Sequence, residues 1–374
     1  MASYGVLCAR VEGRLKSECH AWSFSHDLQG IVDAVGSGLQ FGSLGTLQSW
    51  TTVGAHIVEG KQLMKVVITG GAGFIGTNLA IRMQRDGIDV VILDDFSSGK
   101  RENIEASGAG FVEGSILDDF ALDKAFRGAH AVVHLAARPS VPLSLANPIA
   151  SHDVNATGTL KVLEACRRNK IAIIAVASSS SVYGANPIIP KTEDLTPMPM
   201  SPYAVSKLAA ESYAICYKEC FGLETMAFRF FNVYGPFQRP DHAYAAVIPA
   251  FIDAALDGRP LLVNGDGQQS RDFTYVDDVT EVLTRTVVAS IQSGRPVNLA
   301  FGSRASILEL IAMLEDLMGR SLEREYRSPR VGDVQHSQAD GHRLKELFPD
   351  LRPVPLRSGL QSTIRWYEEL QRFQ

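Results

Sequence analysis

Short apolar runs alternate with longer stretches of helical periodicity along most of the chain. Lys65–Thr69 is the first run, rich in β-branched residues, and reads as a strand. Residues 89–93, 131–135, 171–177 and 225–230 repeat the pattern, with helical stretches between them that include residues 156–168 and 202–221. Strands that are apolar throughout and alternate with helices predict an α/β fold, a doubly wound parallel sheet covered on both faces. In such a sheet, ligands bind at the carboxyl ends of the strands. Residues 1–63 stand apart, with little sustained periodicity and much Gly and Ser. They hold no compact basic-then-apolar signal peptide, and their acidic residues argue against a transit peptide. Two readings are open: a disordered or loosely attached extension, or a start placed too early, with Met64 as the first residue. An intact mass that includes residues 1–63 removes the second.

Bulk properties narrow the classes. The 374 residues leave room for a large core or two lobes, and a hydrophobic content of 45% is ordinary for a soluble protein. A net charge of -5 without a dense basic run gives no reason to expect nucleic-acid binding. The longest apolar run, 171–177, is too short to span a bilayer, so no membrane partner is expected. Cys8, Cys19, Cys166, Cys216 and Cys220 form no paired framework. They read as reduced thiols of a cytoplasmic protein, with no metal site.

Two groups of residues carry candidate chemistry. Gly71-Ala-Gly73-Phe-Ile-Gly76 follows the first strand and opens a helical pattern. Glycines there let the backbone turn sharply and approach a pyrophosphate, which a helix N-terminus then attracts. Asp94, at the end of the second strand, suits hydrogen bonding to ribose hydroxyls and repels a 2'-phosphate, which favours NAD over NADP. Downstream, Tyr203 and Lys207 are four residues apart in a helical stretch and share one face. A phenol ionises near pH 10 on its own, at about that value, and a nearby ammonium lowers it. The pair is a candidate proton-transfer device, and with a dinucleotide site it suggests hydride chemistry on an alcohol. His134, at another strand end, has no partner in the sequence and reads as structural or cofactor-flanking.

Gly70-Gly-Ala-Gly-Phe-Ile-Gly76, Ser178-Ser-Ser-Ser-Val-Tyr-Gly184, Tyr203-Ala-Val-Ser-Lys207 and Arg229-Phe-Phe-Asn-Val-Tyr-Gly235 together resemble the extended short-chain dehydrogenase/reductase family. Within it the chain looks most like nucleotide-sugar 4-epimerases of the UDP-glucose and UDP-N-acetylglucosamine group. The resemblance implies a Rossmann domain over residues 64–243, to which 273–300 also contribute. Residues 244–374 would form mainly a smaller C-terminal α/β lobe that binds the nucleotide sugar. It makes Tyr203 the catalytic base, Lys207 its electrostatic partner and a ribose ligand, and Ser179 the hydrogen-bond partner of the reacting hydroxyl. The choice of serine within the run is open by one position. NAD would be held by Gly70, Gly73, Phe74, Ile75, Gly76, Asp94, Ser98, Ile116, Ala136, Tyr203, Lys207 and Phe230. The UDP-sugar would be held by Ser180, Asn232, Ala246, Val247, Asn264, Arg271, Arg330, Asp333 and Ser337. The two arginines would clamp the diphosphate. A small Ser337 leaves room for an N-acetyl group, so UDP-N-acetylglucosamine is expected to be accepted beside UDP-glucose.

Ser115 stands where the family usually has an Asp facing the adenine, and Asp118 or Asp119 are candidates to compensate. Ser180 and Ser181 replace the acids that dehydratases and decarboxylases of the family carry, which disfavours those reactions. A UDP-glucuronate 4-epimerase remains the alternative, with Arg239 available to a sugar carboxylate. A non-enzymatic NAD-binding regulator is disfavoured because Tyr203 and Lys207 are both present. Residues 156–168 and 202–221 resemble the helices that pair into a four-helix homodimer interface.

Overall fold

The computed structural model describes residues 64–240, 246–329 and 335–372. The readings of residues 1–63, and the positions of Arg330 and Asp333, lie outside them. Five of the seven principal strands follow the apolar runs closely: β1 Lys65–Thr69, β2 Asp89–Asp94, β4 Ala131–His134, β5 Ile173–Ser179 and β6 Glu224–Phe230, with β3 Gly110–Glu113 between β2 and β4. Val66 and Ile68 enter the core on one face of β1 while Val67 enters the core on the other. A strand buried on both faces has no solvent side, which is why these runs are apolar without interruption.

All the pairings are parallel, and the sheet order is Val297–Leu299, β6, β5, β4, β1, β2, β3. The chain winds one way from β1 through β2 to β3 and the other way from β4 onward. The switch between β1 and β4 opens a crevice at their carboxyl ends. One face is covered by the helices Phe74–Arg85 and Val276–Val288, through Leu79, Met83, Val279, Val282 and Leu283. The other carries Asp119–Phe126, Gly158–Arg168 and Pro202–Phe221, through Leu122, Phe126, Val162, Leu163 and Ala214. The helix expected over 156–168 is regular only from Gly158, because Asp153–Thr157 form a π turn.

A second core lies in the C-terminal half. Ile248, Phe251 and Ile252 pack with Leu310, Ile311, Leu314, Leu360 and Ile364 around Leu261, Val263, Phe273 and Tyr275. The helix Ile307–Met318 begins with a reciprocal cap between Ser306 and Glu309. The helix Val276–Val288 starts in this core at Val276 and then crosses to the sheet, so one element belongs to both cores. Among the described residues no helix is long and apolar enough to cross a membrane, and no group of three or more metal-ligating side chains occurs. Cys216 and Cys220 do share a helix face, with their Sγ atoms 3.8 Å apart.

Asp278 on that shared helix has a pH signature. Both its carboxylate oxygens accept from the Val354 amide, at 3.1 and 3.2 Å. Burial nonetheless pushes its pKa up from 3.8 to about 7, with the Val354 bond opposing and Asp277 adding to the rise. The folded chain therefore holds this proton more tightly than the unfolded chain does. The group's contribution to stability is greatest in acid and declines as pH rises through that interval. Asp278→Asn keeps an acceptor for Val354 and removes the titration. From about pH 5 to about pH 7.5, the wild-type melting temperature is expected to fall relative to that of the variant. Parallel melting curves across this range would mean the carboxyl titrates normally.

Candidate active site

The turn after β1 admits no side chains. Gly70 has φ +71°, and a Cβ there would lie 2.6 Å from the Ala136 amide nitrogen. A Cβ on Gly76 would lie 2.5 Å from both the Gly70 carbonyl oxygen and Gly71 Cα. The helix Phe74–Arg85 is thereby drawn against the turn. Its N-cap, Gly73, supplies no side-chain cap, so first-turn amides remain for a ligand. Asp94 is buried at the end of β2, where it accepts from the Ala72 amide at 3.0 Å and the Phe96 amide at 2.8 Å. Burial raises its pKa against the pull of those two donors. Asp94 is thus a fixed carboxylate at the cleft edge and not a solvated strand end.

A cleft of about 540 Å³ opens from this turn. Gly70, Gly73, Phe74, Ile75, Gly76, Asp94, Ser98, Ile116, Ala136, Tyr203, Lys207 and Phe230 all line it, so every residue expected to touch NAD meets there. Small residues at the turn, a carboxylate at the far end and uncapped amides between them fit an adenine dinucleotide. The two acids near Ser115 have partners of their own. Asp118 caps its own helix through Phe120, and Asp119 pairs with Lys161.

Ser179, Tyr203 and Lys207 come together on the same wall. Tyr203 and Lys207 sit in the first two turns of Pro202–Phe221, a helix begun by Ser201, whose hydroxyl accepts from the Ala204 amide at 3.1 Å. Ser179 ends β5; its Oγ accepts from Ser181 Oγ at 2.9 Å and from the Ser181 amide at 3.2 Å, and it stands beside the Tyr203 phenol. Lys207 points elsewhere than its spacing suggests, because its Nζ donates to the Ala177 carbonyl at 2.8 Å. Burial raises the Tyr203 pKa while Ser179 opposes the rise, and burial lowers Lys207 to about 8. The sequence argument expected Lys207 to favour the phenolate.

His134 lies behind this wall, bridged by Thr69 Oγ1 at 2.7 Å and Thr159 Oγ1 at 2.9 Å. Burial and then the Lys207 charge push it down to about 3, so it stays neutral and structural.

A second cleft, of about 490 Å³, adjoins the first, and Asn232 and Ala246 line both. Val247, Asn264 and Arg271 line the second alone. Asn232 Nδ2 donates to the Asp272 carbonyl at 3.1 Å, and Arg271 Nη1 donates to the Ser270 carbonyl at 2.9 Å. Ser180 and Ser337 line neither cleft; the Ser337 amide instead donates to the Ser270 carbonyl at 3.0 Å. Sequence reasoning did not single out Glu211, which binds Ser178 behind the wall. Its place four residues beyond Lys207 was the available signal.

Residues 66–300 match the model of the NAD dependent epimerase/dehydratase family. A UDP-glucose 4-epimerase of Mycolicibacterium smegmatis is 35% identical over 310 residues, covering 81% of this chain and 98% of that relative. The structure resembles a UDP-N-acetylglucosamine 4-epimerase from Methanobrevibacter ruminantium solved with UDP-N-acetylmuramic acid. Identity is 35% and the TM-score 0.78, over 82% of this chain and 99% of that one. It also resembles a UDP-glucuronic acid 4-epimerase from Bacillus cereus in complex with UDP-glucuronic acid and NAD. There identity is 31% and the TM-score 0.75, over 82% of this chain and all of the other, 100%. The chain belongs to the NAD dependent epimerase/dehydratase family, and NAD is its cofactor.

Proposed function

We propose that this enzyme inverts C4 of a UDP-hexose, and of UDP-N-acetylhexosamines, through a transient 4-keto sugar. The observation that carries the reading is the meeting of Ser179, Tyr203 and Lys207 on the wall of the dinucleotide cleft, next to a second cleft joined to it at Asn232 and Ala246. NAD, when bound, accepts the C4 hydride and gives it back. Tyr203 Oη takes the proton of the C4 hydroxyl, and Ser179 Oγ holds that oxygen and stabilises the phenolate. Lys207 adds positive charge beside the cleft and, from its Ala177 contact, steadies the end of β5. Asn232 and Arg271 retain the diphosphate while the walls at Ala246, Val247 and Asn264 enclose the uridine. Binding energy far from C4 then keeps the ketone in place as the sugar turns to present its other face, and Tyr203 returns the proton to the C4 oxygen.

Arg330 is assigned by the same reading to the diphosphate, and Asp333 to the nucleotide sugar. Ser337 lines neither cleft, so the case for the N-acetyl sugar rests on the likeness to the Methanobrevibacter enzyme. Incubation with UDP-glucose, UDP-N-acetylglucosamine and UDP-glucuronate, with the C4 epimers resolved, tests the assignment. Turnover of the first two is expected. Turnover of UDP-glucuronate alone would make this a uronate epimerase, and turnover of none would end the reading. We assign a homodimer to the outer face of Pro202–Phe221, where Val205 and Tyr213 are exposed apolar residues. Val205→Glu with Tyr213→Glu is expected to halve the mass seen by light scattering; an unchanged mass would place the interface elsewhere.

A further inference from the structure

Three consecutive residues at the end of β5 each meet a residue of the helix Pro202–Phe221. Ser179 lines the cleft beside Tyr203 and favours the ionised form of its phenol. The Ala177 carbonyl receives Lys207 Nζ at 2.8 Å. Ser178 Oγ donates to Glu211 Oε2 at 2.7 Å. Tyr203, Lys207 and Glu211 follow one another at intervals of four residues, which puts them on one helix face. The first two line the cleft, whereas Glu211 is buried and lines neither cleft.

Glu211 cannot turn in its place. Arg229 grips it with a fork, Nη2 to Oε1 at 2.7 Å and Nε to Oε2 at 2.9 Å. Arg229 lies on β6 directly beside Ser178 in the sheet, and its guanidinium is 4.7 Å from the centre of the Tyr183 ring. A forked, planar donor fixes the plane of a carboxylate as well as its distance. Oε2 is therefore offered to Ser178 from one direction only.

We infer that Glu211 is a positioning residue for the proton-transfer pair: through Ser178 it sets the end of β5 against the helix, and so holds Ser179 on Tyr203. The inference rests on the reading of Ser179 and Tyr203 as the reacting pair. Hydrogen bonds weaken steeply with misalignment. Slack in β5 therefore takes support from the phenolate while the contacts that hold a nucleotide stay in place. Among the described residues, the charged and titratable groups around this wall include Lys207, His134, Asp94, Asp95, the Glu211–Arg229 pair, and Tyr183 and Glu193 beside Arg229. A change at Ser178 leaves every one of them present.

Ser178→Ala in the NAD-loaded enzyme is the test, because it deletes one hydroxyl and keeps the buried ion pair. The chain has 10 tyrosines, so Tyr203 is titrated from the ultraviolet difference between each protein and the same protein carrying Tyr203→Phe. The Tyr203 midpoint is expected to rise by about one pH unit as the Ser179 support is lost. Catalysis needs the phenolate, so kcat near neutrality falls about tenfold and the rising limb of its pH profile moves upward by the same step. KM for UDP-glucose stays within about twofold, because the lost contact serves the reacting state. Ser178→Thr, which keeps the hydroxyl, restores both readouts. An unmoved midpoint with unchanged kcat per folded site, even beside a lower melting temperature, overturns the inference and leaves Glu211 a packing residue. The titration needs no substrate. A wild type that turns over no UDP-sugar, with the midpoint still raised in Ser178→Ala, defeats the epimerase reading while upholding the role of Glu211.

Discussion

Tyr203→Phe is expected to lower kcat by about three orders of magnitude, within the usual range for loss of a positioned acid–base group. KM and NAD affinity should change by no more than about twofold, since the ring stays and only the reacting oxygen leaves. The size of the loss follows from the surroundings of the phenol. Ser179 is the group that supports its ionised form, and Lys207 Nζ is bonded to the Ala177 carbonyl. No second phenol lines the dinucleotide cleft among the described residues, so nothing there replaces the missing oxygen. Steady-state turnover of UDP-glucose, with NAD occupancy measured on the same samples, decides the matter. A kcat within about tenfold of wild type would reassign the base.

The second large effect is expected at Gly76. Adding one methyl group in Gly76→Ala puts a carbon 2.5 Å from the Gly70 carbonyl oxygen and from Gly71 Cα, all backbone atoms of a turn that has no room to retreat. Overpacking of this kind costs about 1–3 kcal/mol. Taken wholly from the cofactor-bound state, the upper figure is about a hundredfold in NAD affinity. The helix must move away from the turn, carrying with it the uncapped amides that face the cleft. Calorimetric titration of NAD into the stripped variant measures the loss directly. Gly87→Ala is the useful control: Gly87 also has positive φ, at +76°, but a Cβ there meets nothing within 4 Å. Its cost is backbone strain alone, and NAD affinity should hold. Equal affinity in wild type and Gly76→Ala would show that the turn can yield.

The sheet was legible because burial on both faces leaves a plain record: runs such as 171–177 carry no polar side to confuse with a helix. Two strands, β3 and Val297–Leu299, were not read as strands, because so few residues give no periodicity; only the wider span 273–300 was tied to the sheet domain. On the site, local spacing sufficed for the glycine turn, Asp94, Tyr203 and Lys207, each of which acts from a fixed place on its own element. It did not suffice where side chains choose among partners. Lys207 was expected to serve the phenol and is found on a carbonyl, because a buried ammonium takes the nearest strong acceptor. Glu211 was passed over for a related reason. An acid on a helix usually faces water, and nothing in its own segment shows that Arg229, 18 positions on, returns beside it through the sheet.

The helix shared by the two cores bears on how this chain can be divided. Val276–Val288 covers one face of the sheet, and the strand after it closes the β6 edge. Truncation at residue 243 would therefore not release a free-standing cofactor module. It would leave β6 with unpaired amides and carbonyls and the apolar side chains of β4 and β5 bare to solvent, a surface suited to aggregation.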